Sequence, residues 1–277
     1  MLEIPTVTPR VDDRDWSSLT LGERIRQLEV EGYLVVPDLL SEEKIERLKG
    51  QVADLETVAT DYSEHQRAAS DVMFLGGEIT ELAAQPVIIP LLRALLGDDI
   101  ICMSGAYARS EPGHPGMVLH TDSGGDGSPQ QAVRVLYYLT DLMPGTSPFR
   151  VLPRSNLSMH SEGNPFKRYL EHPDEVMVNP KAGSAVLINI KVFHGNYPNT
   201  SHEVREMIAY MYRPGWCGAG KKAEPWDADK LDQLPAHVRG LFGDPNTHYD
   251  DFSRGNRPPG MAHDARGISP GRWDLTR

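Results

Sequence analysis

Long apolar runs are missing from this chain. No stretch approaches the roughly 18 apolar residues a membrane span needs, so none is expected. Positive charge is also scarce. Lys and Arg number 28 against 39 Asp and Glu, a net charge of -11 with a pI near 5.4. A protein of that balance repels nucleic acid and anionic membrane surfaces, so neither is an expected partner. The N-terminus carries no basic region followed by an apolar stretch, and no secretory signal is expected. Cysteine occurs only at Cys102 and Cys217, too few for a disulfide scaffold; reduced thiols and a cytoplasmic setting are the expectation. Internal repeats and low-complexity tracts are absent. What remains is an ordinary soluble composition over 277 residues, enough for one sizeable domain spanning 1–277.

Residues 1–19 hold prolines and scattered charges and read as an arm. Thr20 and Glu23 form a capping box, in which each side chain satisfies the other's backbone N–H, and the helix they open runs to about Gly32. Tyr33-Leu34-Val35-Val36 reads as a buried strand ended by Pro37. Ser41 caps a second helix, whose stripe is Ile45, Leu48, Val52 and Leu55. Residues 59–80 are polar and mixed and receive no assignment. Pro86 opens an apolar helix that Gly97 closes, completing a mostly helical support over 20–98.

From Ile100 the pattern changes to short β-rich runs separated by turn residues. They are Ile100–Arg109, Met117–Thr121, Ala132–Thr140, Phe149–Leu152, Ser184–Asn189 and Arg205–Tyr212. The expected fold is therefore mainly β with flanking helices: a double-stranded β-helix, or jelly roll, over residues 99–214. A C-terminal extension, 215–277, holds one expected helix within 227–242 and a Gly-, Pro- and Arg-rich end beyond Asp251.

His120 and Asp122 stand two apart, and side chains at i and i+2 on an extended strand share a face. His194 lies on a later run. Two His and one carboxylate make the facial triad of non-haem Fe(II) sites, which leaves positions open for a co-substrate and dioxygen. Around the triad stand Gly183, Gly195, Pro198, Asn199, Ser201 and Arg205. With these residues the sequence resembles the phytanoyl-CoA dioxygenase family of Fe(II)/2-oxoglutarate oxygenases, from about Glu31 to Pro214. It departs from that family's pattern at Pro144-Gly145-Thr146-Ser147-Pro148-Phe149 and at Pro153-Arg154-Ser155-Asn156, neither of which touches a ligand.

The resemblance implies that His120, Asp122 and His194 hold Fe(II) and that Arg205 receives the far carboxylate of 2-oxoglutarate, a planar guanidinium being matched to a carboxylate. It implies oxidation of a small organic molecule coupled to release of succinate and CO2, with O2 as second co-substrate. A carboxylate ligand at Asp122, where related halogenases have none, favours hydroxylation; desaturation, epoxidation and ring closure use the same chemistry. An acyl-CoA substrate would need a basic cluster for its phosphates, and none is obvious. A catalytically silent ligand-binding relative and a zinc hydrolase are the rival classes. Tyr107 and Thr140 are candidates to help hold 2-oxoglutarate. Arg134 is a candidate for a substrate anion, and Met73, Phe74 and Trp216 for pocket walls; each has an ordinary core or surface alternative. His114, His160, His202 and His248 lack a partner pattern and read as loop or surface residues. The glycine-rich run 123–130 is expected to be a lid or a plain turn. Nothing in the sequence sets an oligomeric state.

Overall fold

A computed structural model describes residues 9–60, 63–123, 131–157, 172–215, 217 and 222–246. Trp216, His160, His248, residues 124–130 and the end beyond Asp251 lie outside them. In chain order the elements are β1 (Arg10–Val11), α1 (Leu21–Val30), β2 (Tyr33–Val36), α2 (Glu42–Val52), β3 (Val58–Thr60), β4 (Ser63–Ser70), α3 (Gly77–Glu81) and α4 (Ile88–Leu96). There follow β5 (Ile100–Ser110), β6 (Met117–His120), β7 (Val133–Tyr138), β8 (Phe149–Leu152), β9 (Val176–Val178), β10 (Ala185–Asn189), β11 (Phe193–Asn196), β12 (Arg205–Pro214), α5 (Ala228–Asp232) and α6 (Ala236–Arg239). The capping box at α1 forms with both of its hydrogen bonds, and Ser41 caps α2. Helix α4 stops at Gly97, whose φ of 96° only glycine adopts readily.

Two sheets face each other. One has the order β1-β9-β8-β11-β6, the other β2-β10-β7-β12-β5-β4-β3. This is the jelly roll read from the sequence. The unassigned polar stretch builds β3 and β4, the edge of the larger sheet, followed by a 3-10 turn at Val72–Phe74 and by α3. Its alternation is weak because an edge strand has little to bury. The single helix expected over 227–242 is two short ones, α5 and α6, separated where Pro235 denies a backbone N–H.

The larger sheet has a helix-covered face and an inner face. On the covered face three buried tyrosines donate to carbonyls of the helical layer: Tyr137 to Leu82 at 3.2 Å, Tyr212 to Ala83 at 2.8 Å, and Tyr210 to Ile79. The segment they hold belongs to Gly77–Leu96, which has the length and hydropathy of a membrane span, contrary to the expectation that none would; half of it is buried against the sheet, as core helices are. Arg213, wholly buried, spends its guanidinium on backbone carbonyls of Pro214, Cys217 and Pro245, tying the C-terminal segment to β12. Cys102 and Cys217 are both buried.

Two glycines are dictated by close approach. Gly183 turns at φ 83° ahead of β10, where a Cβ would lie 2.5 Å from the carbonyl oxygen of Leu40. Gly195 lets β11 close on β6; a Cβ there would lie 2.5 Å from the carbonyl oxygen of Met117.

Candidate metal centre and anion slot

Strands β11 and β6 pair antiparallel with His194 directly opposite His120, their ring centroids 4.4 Å apart. The strand ends at His120, so Asp122 does not share a strand face with it as expected. Instead Asp122 sits in the following loop, fixed by donation of its backbone N–H to the carbonyl of Ile190 at 2.9 Å. The result is the same cluster: one ligating atom from each of the three side chains lies within 4.8 Å of the others.

Both imidazoles are oriented alike. Nδ1 of His120 lies 3.0 Å from the carbonyl of Val118, and Nδ1 of His194 lies 3.1 Å from that of Val192. A carbonyl can only accept, so each ring carries its proton on Nδ1 and presents a bare Nε2 to the cluster. These nitrogens stand 3.8 and 3.6 Å from the Asp122 carboxylate oxygens. Burial would raise the Asp122 carboxyl, but His194, Arg134 and His120 outweigh it and hold it below its usual range. Burial pushes His194 down to about 4; Asp122 pulls the other way, and His120 adds to the burial. At neutral pH His194 is thus a neutral imidazole beside an ionised Asp122 carboxylate. Among the described residues Oδ2 of Asp122 is buried and accepts no hydrogen bond, which suits an oxygen that ligates a cation. The residues fit an octahedral divalent ion such as Fe(II), bound on one face.

Across the gap between the sheets stands Arg205, the first residue of β12 and only 4% exposed. Its guanidinium reaches Ser110 Oγ at 3.2 Å and Met207 Sδ at 3.0 Å, and lies 5.4 Å from the centre of the Tyr138 ring. It has no ion pair among the described residues, and its Nε has no acceptor. The Tyr138 hydroxyl, also buried, faces the same guanidinium and has no other partner among the described residues. Arg213, eight residues on, shows how a buried guanidinium is satisfied when it is structural; Arg205 is not satisfied in that way.

The turn before β12 explains the Asn199 and Ser201 of the sequence pattern. Asn199 donates to the carbonyls of Ser110 and Glu203 at 2.9 and 2.8 Å, and Ser201 Oγ donates to Asn199 Oδ1. Those bonds set where Arg205 enters the sheet. Two further residues link it to the metal cluster and were missed in the sequence. Asn196 shares its face of β11 with His194, about 7 Å along the strand, and Asn196 Nδ2 lies 3.5 Å from His114 Nδ1. His114 is buried, not a surface residue; burial first, then the charges of Arg205 and His65, push it down to about 4. It was unreadable because it stands in a loop, without a spacing partner.

The other sequence candidates divide. Arg134 is brought to the cluster: its Nε lies 3.2 Å from Asp122 Oδ2. Tyr107 is not. It pairs with Ile208, one position out of phase with the Ser110–Arg205 pair, so strand alternation turns it to the helix-covered face, where its hydroxyl donates to Glu206. Thr140 accepts from the backbone N–H of Glu206 at 3.1 Å, at the end of the β7–β12 ladder. Met73 and Phe74 also lie on the covered face. Met73 Sδ would be 3.1 Å from a Cβ at Gly105, whose cross-strand partner is Tyr210, while Phe74 packs edge-on to Trp226 at 5.9 Å. A cavity of about 520 Å³ opens beside Asp12, Trp16, Pro37 and Lys181, and it includes none of the cluster's residues.

No curated protein matches the chain by sequence. Solved structures share its fold. The non-haem α-ketoglutarate-dependent epimerase SnoN from nogalamycin biosynthesis is 18% identical, with a TM-score of 0.63 over 82% of this chain and 91% of its own. The carbocyclase SnoK of the same biosynthesis is 19% identical, with a TM-score of 0.64 over 75% and 89%. HygX from Streptomyces hygroscopicus, solved with nickel and 2-oxoglutarate, is 17% identical, with a TM-score of 0.63 over 83% and 97%. The family model for phytanoyl-CoA dioxygenase matches residues 28–207, well over half the sequence, and includes every member of the metal cluster and the guanidinium opposite it. The chain belongs to the phytanoyl-CoA dioxygenase family.

Proposed function

We propose that this protein is an Fe(II)- and 2-oxoglutarate-dependent oxygenase that oxidises a small organic molecule, hydroxylation being the outcome. The observation that carries this reading is a three-donor metal cage sharing one interior with a buried guanidinium that has no counter-ion among the described residues. His120, Asp122 and His194 would hold the metal, and a three-donor site of this kind would leave room for a co-substrate and dioxygen. Bound there, iron supplies the activation of dioxygen, coupled to oxidation of 2-oxoglutarate to succinate and CO2.

The chain's own residues bind, orient and shield. Arg205 receives the distal carboxylate, and Tyr138 and Ser110 stand beside it with hydroxyl groups. His114 and Asn196 occupy the stretch between that carboxylate and the metal, with His114 neutral at physiological pH. The carbonyls of Val118 and Val192 lock both ring tautomers, so the metal meets preformed donors. SnoN and HygX, each solved with a metal and α-ketoglutarate, place those ligands on the same fold, which supports the cofactor reading. SnoN and SnoK are an epimerase and a carbocyclase, so the fold also hosts outcomes other than hydroxylation.

Anaerobic addition of Fe(II) and 2-oxoglutarate should produce the visible charge-transfer band of a chelated 2-oxoacid. Oxygen should then release succinate, and a substrate library screened by that release should yield a product heavier by one oxygen atom. Absence of the band together with absence of succinate would refute the reading. A product of unchanged mass, or one lighter by two hydrogens, would refute hydroxylation alone.

A further inference from the structure

We infer that the substrate carries an anionic oxygen group, a carboxylate or a phosphate monoester, and that Arg134 receives it beside the metal. The inference rests on the function proposed above and names its substrate class. Arg134 projects from β7 on the same face as Tyr138, toward the metal cluster. Its Nε lies 3.2 Å from Asp122 Oδ2, but the contact lacks hydrogen-bond geometry, and among the described residues that oxygen has no donor. Among the same residues the remaining nitrogens have one weak contact, Nη2 to Met211 Sδ at 4.0 Å. No other carboxylate pairs with the guanidinium among the described residues, and its side chain is 34% exposed, so a ligand can reach it.

Charge makes the argument directional. Fe(II) and the 2-oxoglutarate dianion cancel. Arg205 and Arg134 bring two positive charges, and Asp122 brings one negative charge. Once metal and co-substrate are bound, one positive charge is left over. Asp122 is then engaged by the metal, and the distal carboxylate of 2-oxoglutarate engages Arg205. The surplus therefore sits on Arg134, at the more open end of the site, where His120 is also about a third exposed. An interior with a surplus cation favours an anion, and a guanidinium fork fits a carboxylate or phosphate in two-point contact. A neutral or cationic substrate would leave Arg134 uncompensated beside the occupied metal centre.

The test uses the full chain loaded with Mn(II) and 2-oxoglutarate, which binds without turning over. Carboxylic acids are compared with their primary amides, and phosphate monoesters with their parent alcohols, taken from the hits of the succinate screen. Binding is read by calorimetry. The anionic member should bind at least about 30-fold more tightly than its neutral partner, the scale of one desolvated charge pair. R134Q should bring that ratio close to one, and R134K should keep most of it. Equal binding of acid and amide by the native chain overturns the inference, and so does a ratio that survives R134Q. Mn(II) and 2-oxoglutarate titrations on the same protein separate the two levels. If both bind and the ratio is one, only the substrate class is wrong; if neither binds, the proposed function falls with it.

Discussion

Replacing Arg205 by methionine should remove co-substrate binding while leaving the empty protein as stable as before, or more so. The two effects have one cause. Arg205 is almost fully buried with no counter-ion among the described residues, held by a serine hydroxyl, a thioether and an aromatic face. Such a charge costs the ligand-free protein desolvation energy that nothing inside returns. An apolar side chain of similar length should be between neutral and about 3 kcal/mol stabilising, as when buried charges elsewhere are exchanged for packed apolar groups. With 2-oxoglutarate present the balance reverses. Its carboxylate would be buried without a partner, a loss of roughly 3–5 kcal/mol, or about two to nearly four orders of magnitude in affinity. Calorimetry on the Mn(II)-loaded proteins measures that loss directly. Thermal unfolding measures both effects together. At a 2-oxoglutarate concentration 100 times its dissociation constant the native protein should gain about 2.7 kcal/mol, roughly 5–10 °C in Tm, and Arg205→Met should gain nothing. If the variant melts well below the native protein without ligand, Arg205 is a structural residue like Arg213. If 2-oxoglutarate affinity is unchanged, another cation holds the carboxylate. Either result refutes the reasoning.

Four further outcomes are expected. His120→Ala, Asp122→Ala and His194→Ala should each lower Mn(II) affinity by about two orders of magnitude or more, with unchanged far-ultraviolet circular dichroism, because a facial site cannot spare a donor. Tyr107→Phe should leave 2-oxoglutarate affinity within about twofold and cost about 1–2 kcal/mol in urea denaturation, since its hydroxyl serves Glu206 on the helix-covered face; a large loss of co-substrate affinity would place that hydroxyl in the slot after all. Gly195→Ala should push β6 away from β11, so metal affinity should fall more than overall stability does. Stability of the metal-free protein should decline with acid below about pH 6.5. His194 is neutral when folded, with its proton affinity lowered to about 4, whereas the unfolded chain takes the proton near 6.5. The stabilisation is therefore complete above 6.5 and is lost as pH falls toward 4, by up to about 1.4 kcal/mol per pH unit for this one histidine. Urea midpoints at pH 7.5, 6 and 5 check it, and a flat profile would mean that His194 is already charged in the folded state.

The residues legible in the sequence were those whose role is set by local spacing. The capping box at Thr20, the serine cap at Ser41 and the stop at Gly97 each involve atoms a few residues apart, and each forms as read. His120, Asp122 and His194 were legible for a different reason: the combination of types around them is specific, even though Asp122 reaches the cluster by a loop and not by the strand that spacing implied. The misplacements share a cause in strand pairing. Tyr107 and Arg205 lie on neighbouring strands, and only the register of β5 against β12 decides whether they share a face. A shift of one residue would have put Tyr107 into the slot and taken Ser110 out of it. No local pattern encodes that register, because it is fixed by packing of the tyrosine-rich face against α3 and the turn that follows it.

The same dependence on register shows why Arg134 carries more information than its sequence context did. On β7 the inner-facing positions are Arg134, Leu136 and Tyr138, and the two outer positions that alternate with them, Val135 and Tyr137, are completely buried in the core. A strand so apolar has little reason to hold an arginine unless that arginine faces a charge. Asp122 is one such charge, yet the geometry between them is poor and leaves both groups incompletely satisfied. A structural ion pair in this position would be expected to close, as Arg150 and Glu175 do within the core of the other sheet, where the carboxylate also accepts a hydrogen bond from the Tyr197 hydroxyl. The pair at Asp122 and Arg134 instead leaves, among the described residues, the carboxylate oxygen to the proposed metal and the guanidinium to the proposed anion. Two incomplete groups that would each be completed by a different ligand are what an enzyme joining a metal to an anionic substrate requires.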